Sequence, residues 1–163
     1  MIEPTRREKG FSLIEVLIAT VLVGLAIAAL LAANSSFTMA NDAGSDLSTA
    51  EFLIEQIREL TAMLPVVDPE TETATFGPEE PNVATYDDLD DFDGANFAPP
   101  IDGTRTALLS YPTFRQQIVV ANLYPSNFDQ VVADHDSAFV RVTVTVYQNN
   151  LQVSTASWVR ARY

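Results

Sequence analysis

Between Phe11 and Ala33 the chain carries one ionisable side chain, Glu15, in a run that is otherwise apolar or small. As a helix rising about 1.5 Å per residue, this stretch is about 34 Å long, enough to cross a hydrocarbon core roughly 30 Å thick. Arg6, Arg7 and Lys9 precede it, and the next basic residue is Arg58. That asymmetry places the N-terminus in the cytoplasm and the rest of the chain beyond the membrane. The stretch is a single-pass anchor or an export signal, and Glu15 bears on the choice. A carboxylate in an apolar helix costs a few kcal/mol on insertion, so an intramembrane acid calls for a partner.

Gly10-Phe11 followed by Ser12-Leu13-Ile14-Glu15, behind a basic leader, resembles the class III leader of type IV pilins and the related pseudopilins. The resemblance covers about the first 25 residues. It implies that a prepilin peptidase cuts after Gly10 on the cytoplasmic side and N-methylates Phe11. The partners it implies are other pilin or pseudopilin subunits, the prepilin peptidase and the inner-membrane assembly platform. The destination is the inner membrane, then a pilus or periplasmic pseudopilus. Cleavage before Phe11 creates a cationic amine four residues from Glu15, on the same helix face. In a bundle, the amine of one subunit answers the carboxylate of its neighbour. A charge pair in hydrocarbon sets axial register, because a slip leaves both charges unpaired. The competing reading is an ordinary signal peptide cut near Ala26-Ile27-Ala28, but Glu15 interrupts the apolar region such a signal needs.

The sequence divides into a leader (1–10), a transmembrane half-helix (11–33), an amphipathic half-helix (34–64) and an acidic loop with a C-terminal β domain (65–163). Loss of the leader removes two of 22 acids and three of nine bases, leaving a side-chain net charge of −14. Such a surface is no partner for nucleic acid or anionic headgroups. With no cysteine, the exported loops are held by packing or by a metal.

After Ala33, Phe37, Ala40, Gly44, Leu47, Ala50, Ile54, Ile57, Thr61 and Leu64 recur at helical spacing, with Glu51, Glu55 and Glu59 on a solvated face. Asn41–Asp46 is a weak point, and Ser48-x-x-Glu51 reads as a capping box where the helix breaks and restarts. Pro65 ends it. Residues 65–104 hold six of the nine prolines and read as a long loop. Thr106–Tyr111 and Phe114–Tyr124 have strand composition, and Ser126–Ser137 is a loop whose His135 reads as a surface residue. Val140, Val142, Val144 and Val146 alternate with polar residues, and Asn149-Asn150 forms a two-residue hairpin turn. Uninterrupted pairing sets Val146 against Val153, Val144 against Thr155, Val140 against Val159, and Arg141 against Trp158 as a cation–π pair. The fold class is α+β: a long N-terminal helix on an antiparallel sheet of three or four strands, as in pilins.

Residues 87–93 place five aspartates in seven positions. Crowded oxygen ligands suit Ca²⁺, with Asp88, Asp90, Asp91 and Asp93 as candidate ligands. The spacing is not an EF-hand, since Leu89 and Pro100 stand where ligands are needed. The likeness to major pseudopilins, which hold calcium in a loop of the C-terminal domain, is general. The plain alternative is a solvated loop, or one pinned by Arg105 and Arg115. The run from Asp87 to Gly103 also resembles minor pilins of the MSHA pilus type. No catalytic constellation stands out, so the reading is a structural subunit rather than an enzyme. The alternative function is an extracytoplasmic binding module on a single-pass anchor.

Overall fold

The computed structural model describes residues 10–70 and 75–162; the basic leader expected at 1–9 lies outside them. The chain divides into two compact units, Met1–Ala43 and Gly44–Tyr163. Helix α1 runs Leu13–Thr61 and contributes to both. It is followed by a 3-10 turn at Asp90–Phe92 and by strands β1 (Asn96–Phe97), β2 (Phe114–Tyr124), β3 (Asn127–Val131), β4 (Phe139–Gln148) and β5 (Leu151–Ala161).

In the first unit the described part of α1 is exposed along its whole length, although it is apolar and long enough to cross a membrane. The break expected at residues 41–48 does not occur. Ser48 Oγ donates to the Gly44 carbonyl at 2.9 Å and Thr49 Oγ1 to the Ser45 carbonyl at 3.0 Å. The hydroxyls fold back on the preceding turn, so Ser48 is not free to cap a new helix.

In the second unit the helix buries Ala50, Leu53, Ile54, Ile57 and Thr61 against the sheet. The sheet supplies Phe114, Ile118 and Val120 from β2 and Val140, Val142, Val144 and Val146 from β4. Each such fully buried aliphatic or aromatic side chain contributes about 1.5–3 kcal/mol. Phe37 and Leu47, which share the helical periodicity, stay exposed, while Leu53 joins the core. Glu51, Glu55 and Glu59 face solvent as expected. One polar side chain sits inside: Gln116 donates to the carbonyls of Leu53 and Ile101 at 2.9 and 3.1 Å, and its Oε1 accepts the Ile101 N–H at 2.8 Å. All its hydrogen-bonding capacity toward these elements is used, so its burial carries no unpaired group.

The sheet is antiparallel throughout, in the order β1-β2-β4-β5, with β3 pairing the far end of β2. Two expectations need correction. Thr106–Tyr111 is not a strand: Ala107 makes a single bridge to Ile101, and the N–H groups of Leu108 and Tyr111 serve the carbonyls of Pro100 and Leu108. Residues 126–137 are not all loop, because β3 folds back on β2, exposed along its length.

The hairpin turn at Asn149-Asn150 forms with φ of 50° and 67°, the left-handed backbone that asparagine tolerates. The register beyond it departs from simple alternation. Tyr147 faces Gln152 but Val146 faces Ser154, so Val153 is the extra residue of a β-bulge. The bulge turns Ser154, Trp158 and Arg160 toward the helix. Ser154 Oγ donates to Glu51 Oε1 at 2.5 Å, the Arg58 guanidinium lies 4.8 Å from the Trp158 ring centre, and Arg160 donates to the Thr61 and Leu64 carbonyls at 2.7 and 3.1 Å. Trp158 therefore faces Val142 and stacks with Arg58, not Arg141, whose guanidinium donates to the Phe128 carbonyl. Arg160 satisfies carbonyls that the end of α1 leaves without helical partners.

Candidate functional site

Two places carry chemistry. At the N-terminus, Ser12 caps α1: its Oγ accepts the Glu15 N–H at 3.3 Å, and its carbonyl accepts the N–H groups of Glu15 and Val16 at 3.1 and 3.2 Å. Ser12-Leu13-Ile14-Glu15 thus has capping-box spacing, a local signal that the sequence carries inside the apolar run. The cap starts the helix at Leu13, two residues after Phe11. Phe11, Glu15, Val16, Ala19, Thr20 and Val23 line one shallow, apolar groove along the helix. Phe11 is 83 % exposed, and a side chain built on Gly10 meets nothing within 4 Å. Nothing in the fold itself therefore requires glycine at this position.

The second place is the acidic loop, and it is not a solvated one. Leu89 and Phe92 sit three residues apart on the 3-10 turn, whose period of three puts them on one face, and both are fully buried in the core. They carry their neighbours inward, so Asp88, Asp90 and Asp91 are at most 1 % exposed. Asp88 accepts the Asp91 N–H at 3.0 Å, Asp91 accepts those of Asp87 and Asp88 at 2.8 and 3.3 Å, and Asp90 accepts that of Gly77 at 3.3 Å. Asp93 turns away, and its Oδ1 accepts the Val120 N–H of β2 at 2.8 Å. The four aspartates singled out from the sequence therefore separate into three that face inward and one engaged with the sheet.

Glutamates and aspartates from two earlier segments complete the cluster. One carboxylate oxygen from each of Glu79, Glu80 and Asp91 lies within 4.8 Å of the others, and the same holds for Asp68, Glu80 and Asp87. Glu80 belongs to both groups. The run Gly77-Pro78-Glu79-Glu80-Pro81 was the missed signal: paired acids held between prolines, ahead of an acidic turn. Arg105 approaches through a left-handed backbone (φ 66°) fixed by Asp102, whose Oδ1 accepts the N–H groups of Thr104 and Thr106 at 2.8 and 2.9 Å. Its guanidinium donates to the carbonyls of Ala84 and Tyr86 at 2.8 and 2.5 Å rather than to a carboxylate. Arg115 lies over Tyr147, 4.1 Å from the ring centre, and reaches the chain just past the acidic turn, donating to Asn96 Oδ1 at 3.5 Å. His135 is no surface residue: its side chain is 14 % exposed, Nε2 donates to the Thr75 carbonyl at 2.7 Å, and it lies 4.0 Å from Asp90 Oδ2.

Like charges pressed together out of water disfavour ionisation. The adjoining Asp91 carboxylate and then burial push Glu80 up to about 7; burial and then the neighbouring Asp90 push Asp88 up to about 8. Burial raises Glu79, Asp87 and Asp90 as well, and Arg105 offsets part of the rise at Asp87. Because the folded values lie above the unfolded ones, the stability tied to protonation is complete below about pH 4 and is lost as pH rises through about 7 and 8. In chelator, the melting temperature of the chain should fall steadily between about pH 5 and about pH 8.5. A flat profile in thermal circular dichroism would show that these carboxyls do not crowd one another.

No curated protein and no solved structure matches the chain. The loop, the sheet and the second half of the helix thus stand on their own geometry. The N-terminal end does not: residues 5–31 match the family model of the prokaryotic N-terminal methylation motif, the motif of type IV pilin-like subunits that are processed from precursors.

Proposed function

We propose that the chain is a structural subunit of a type IV pilus or of a type II secretion pseudopilus. It is made as a precursor, cut by prepilin peptidase between Gly10 and Phe11, and N-methylated on Phe11. It waits in the inner membrane with its N-terminus in the cytoplasm. From there an assembly platform packs its apolar helix against the helices of other subunits. The observation that carries this reading is the match over residues 5–31 together with Glu15, the lone ionisable side chain of the exposed apolar stretch Phe11–Ala33. Glu15 shares a groove with Phe11, where the new amine arises. Between subunits that amine and carboxylate neutralise each other and set the axial step. Retention of Glu15 fits a subunit that sits beneath others in the filament. The acidic run from Asp87 to Gly103 carries the finer likeness, to minor pilins of the MSHA type. The role is assembly, not catalysis.

Mass spectrometry of the mature N-terminus tests the reading. N-methyl-Phe11 is the expected first residue when the chain is made in a host with prepilin peptidase. Met1 retained in such a host points instead to a binding module on a permanent anchor, and a start at Ala29 or beyond to a signal peptide.

A further inference from the structure

The acidic loop holds more than crowded charge. Glu79 Oε1 and Oε2, Glu80 Oε2, Asp87 Oδ1, Asp88 Oδ2, Asp90 Oδ1 and Asp91 Oδ1 are closed to solvent and have no hydrogen-bond partner among the described residues. Asp88 and Asp91 matter most. They are 0 % and 1 % exposed; one oxygen of each is spent on backbone N–H groups, and the other faces only neighbouring carboxyl groups. A buried acceptor without a donor costs about 1–3 kcal/mol, and more when charged. These particular oxygens are shielded from water, and both Nη groups of the nearby Arg105 are turned to carbonyls. What such a pocket of oxygens lacks is a cation.

We propose that Glu79, Glu80 and Asp91 form a binding site for a hard divalent cation of the calcium class, bordered by Asp68 and Asp87. Two oxygens on one Ca²⁺, each at about 2.4 Å, stand at most about 4.8 Å apart, and these carboxylate oxygens lie within that distance of one another. All the donors are carboxylate oxygens, with neither thiolate nor imidazole in either group, which suits calcium rather than zinc. A dication reverses the local repulsion that burial imposes. It ties together the segment after α1, the Pro78–Pro81 turn and the 3-10 turn. In a chain without cysteine, that is a crosslink for the longest irregular stretch. This inference is independent of processing at Gly10.

The full-length chain in detergent micelles serves for the test, with Tb³⁺ as the first probe. The Tyr86 ring packs edge-on against Phe92 of the 3-10 turn, ring centres 5.1 Å apart, which sets it beside the acidic turn where it can sensitise terbium luminescence, and added Ca²⁺ should quench that signal by displacement. With a Kd of about 0.1 mM, 1 mM CaCl₂ raises the folded-to-unfolded ratio about 11-fold and the melting temperature by several degrees, and MgCl₂ does less. Glu80→Gln and Asp91→Asn should each abolish the calcium response. Asp93→Asn should keep it, since an asparagine Oδ1 still accepts from Val120. Glu80→Gln guards against a folding failure, because the backbone N–H its carboxylate accepts is its own, which a glutamine Oε1 accepts as well. The proposal is overturned if terbium gives no sensitised emission and calcium no shift. It is also overturned if calcium and magnesium shift the wild type and Asp91→Asn equally, which is screening of a highly charged chain. A third overturning result is that both substitutions raise the metal-free melting temperature while no ion binds, which marks the carboxyls as neutral acid pairs.

Discussion

Gly10→Val is expected to leave the chain at full length in a host that makes prepilin peptidase, with no detectable mature form. The effect is large because it acts on a covalent step, and its cause can be isolated. A β-carbon at Gly10 meets nothing within 4 Å, so the substitution disturbs no packing in this chain. The helix begins beyond it, capped by Ser12, and its membrane-crossing residues are unchanged. Any block therefore lies in the enzyme's grip on the scissile bond, where a branched side chain has to fit. Gly10→Ala, a smaller intrusion, should be processed with reduced yield. Anti-tag blots of the membrane fraction resolve a loss of ten residues. If Gly10→Val still loses its leader at the same bond, the pilin-like reading fails.

Glu15→Ala is the second large effect, and it separates insertion from assembly. Insertion should proceed as well as before or better, because an acid costs about 2.5–3.5 kcal/mol at the centre of a membrane helix on translocon scales and less near its end, where Glu15 stands in the first turn. The helix itself tolerates the change: alanine is the best helix former, and Ser12 Oγ still has the residue-15 N–H to accept. In a filament, however, the neighbour's N-terminal amine loses its counter-charge. Removing one member of a buried pair costs about 3–5 kcal/mol, so incorporation should drop by more than tenfold relative to wild type. Quantifying the variant in sheared filaments against its level in the membrane measures this directly. Equal incorporation at equal membrane level would remove Glu15 from the assembly mechanism.

How much of this was legible in the sequence depends on how local each cause is. The anchor is a matter of composition, and Phe11–Ala33 declares it without any tertiary contact. The strands β2, β4 and β5 and the turn at Asn149-Asn150 follow from alternation and from asparagine's tolerance of positive φ. The bulge at Val153 does not. Alternation predicts Val159 inward; the structure leaves it 40 % exposed and turns Arg160 inward instead, because the end of α1 offers carbonyls that need a donor. A residue far away in sequence decided the register.

The acidic loop shows the same division. Its charge, its lack of EF-hand spacing and its place between prolines are sequence facts. Read alone they favour solvation, since aspartates rarely leave water. What the sequence also contained was a pair of apolar residues, Leu89 and Phe92, three apart within that run. Their burial under the helix and sheet forces the aspartates between them out of solvent, against glutamates from the Pro78–Pro81 turn. Sequence by itself determined a membrane-crossing helix with one acid, a processing motif in front of it and an antiparallel β domain behind. Only the tertiary structure decided which carboxylates meet, because that depends on hydrophobic residues finding a core assembled from the other end of the chain.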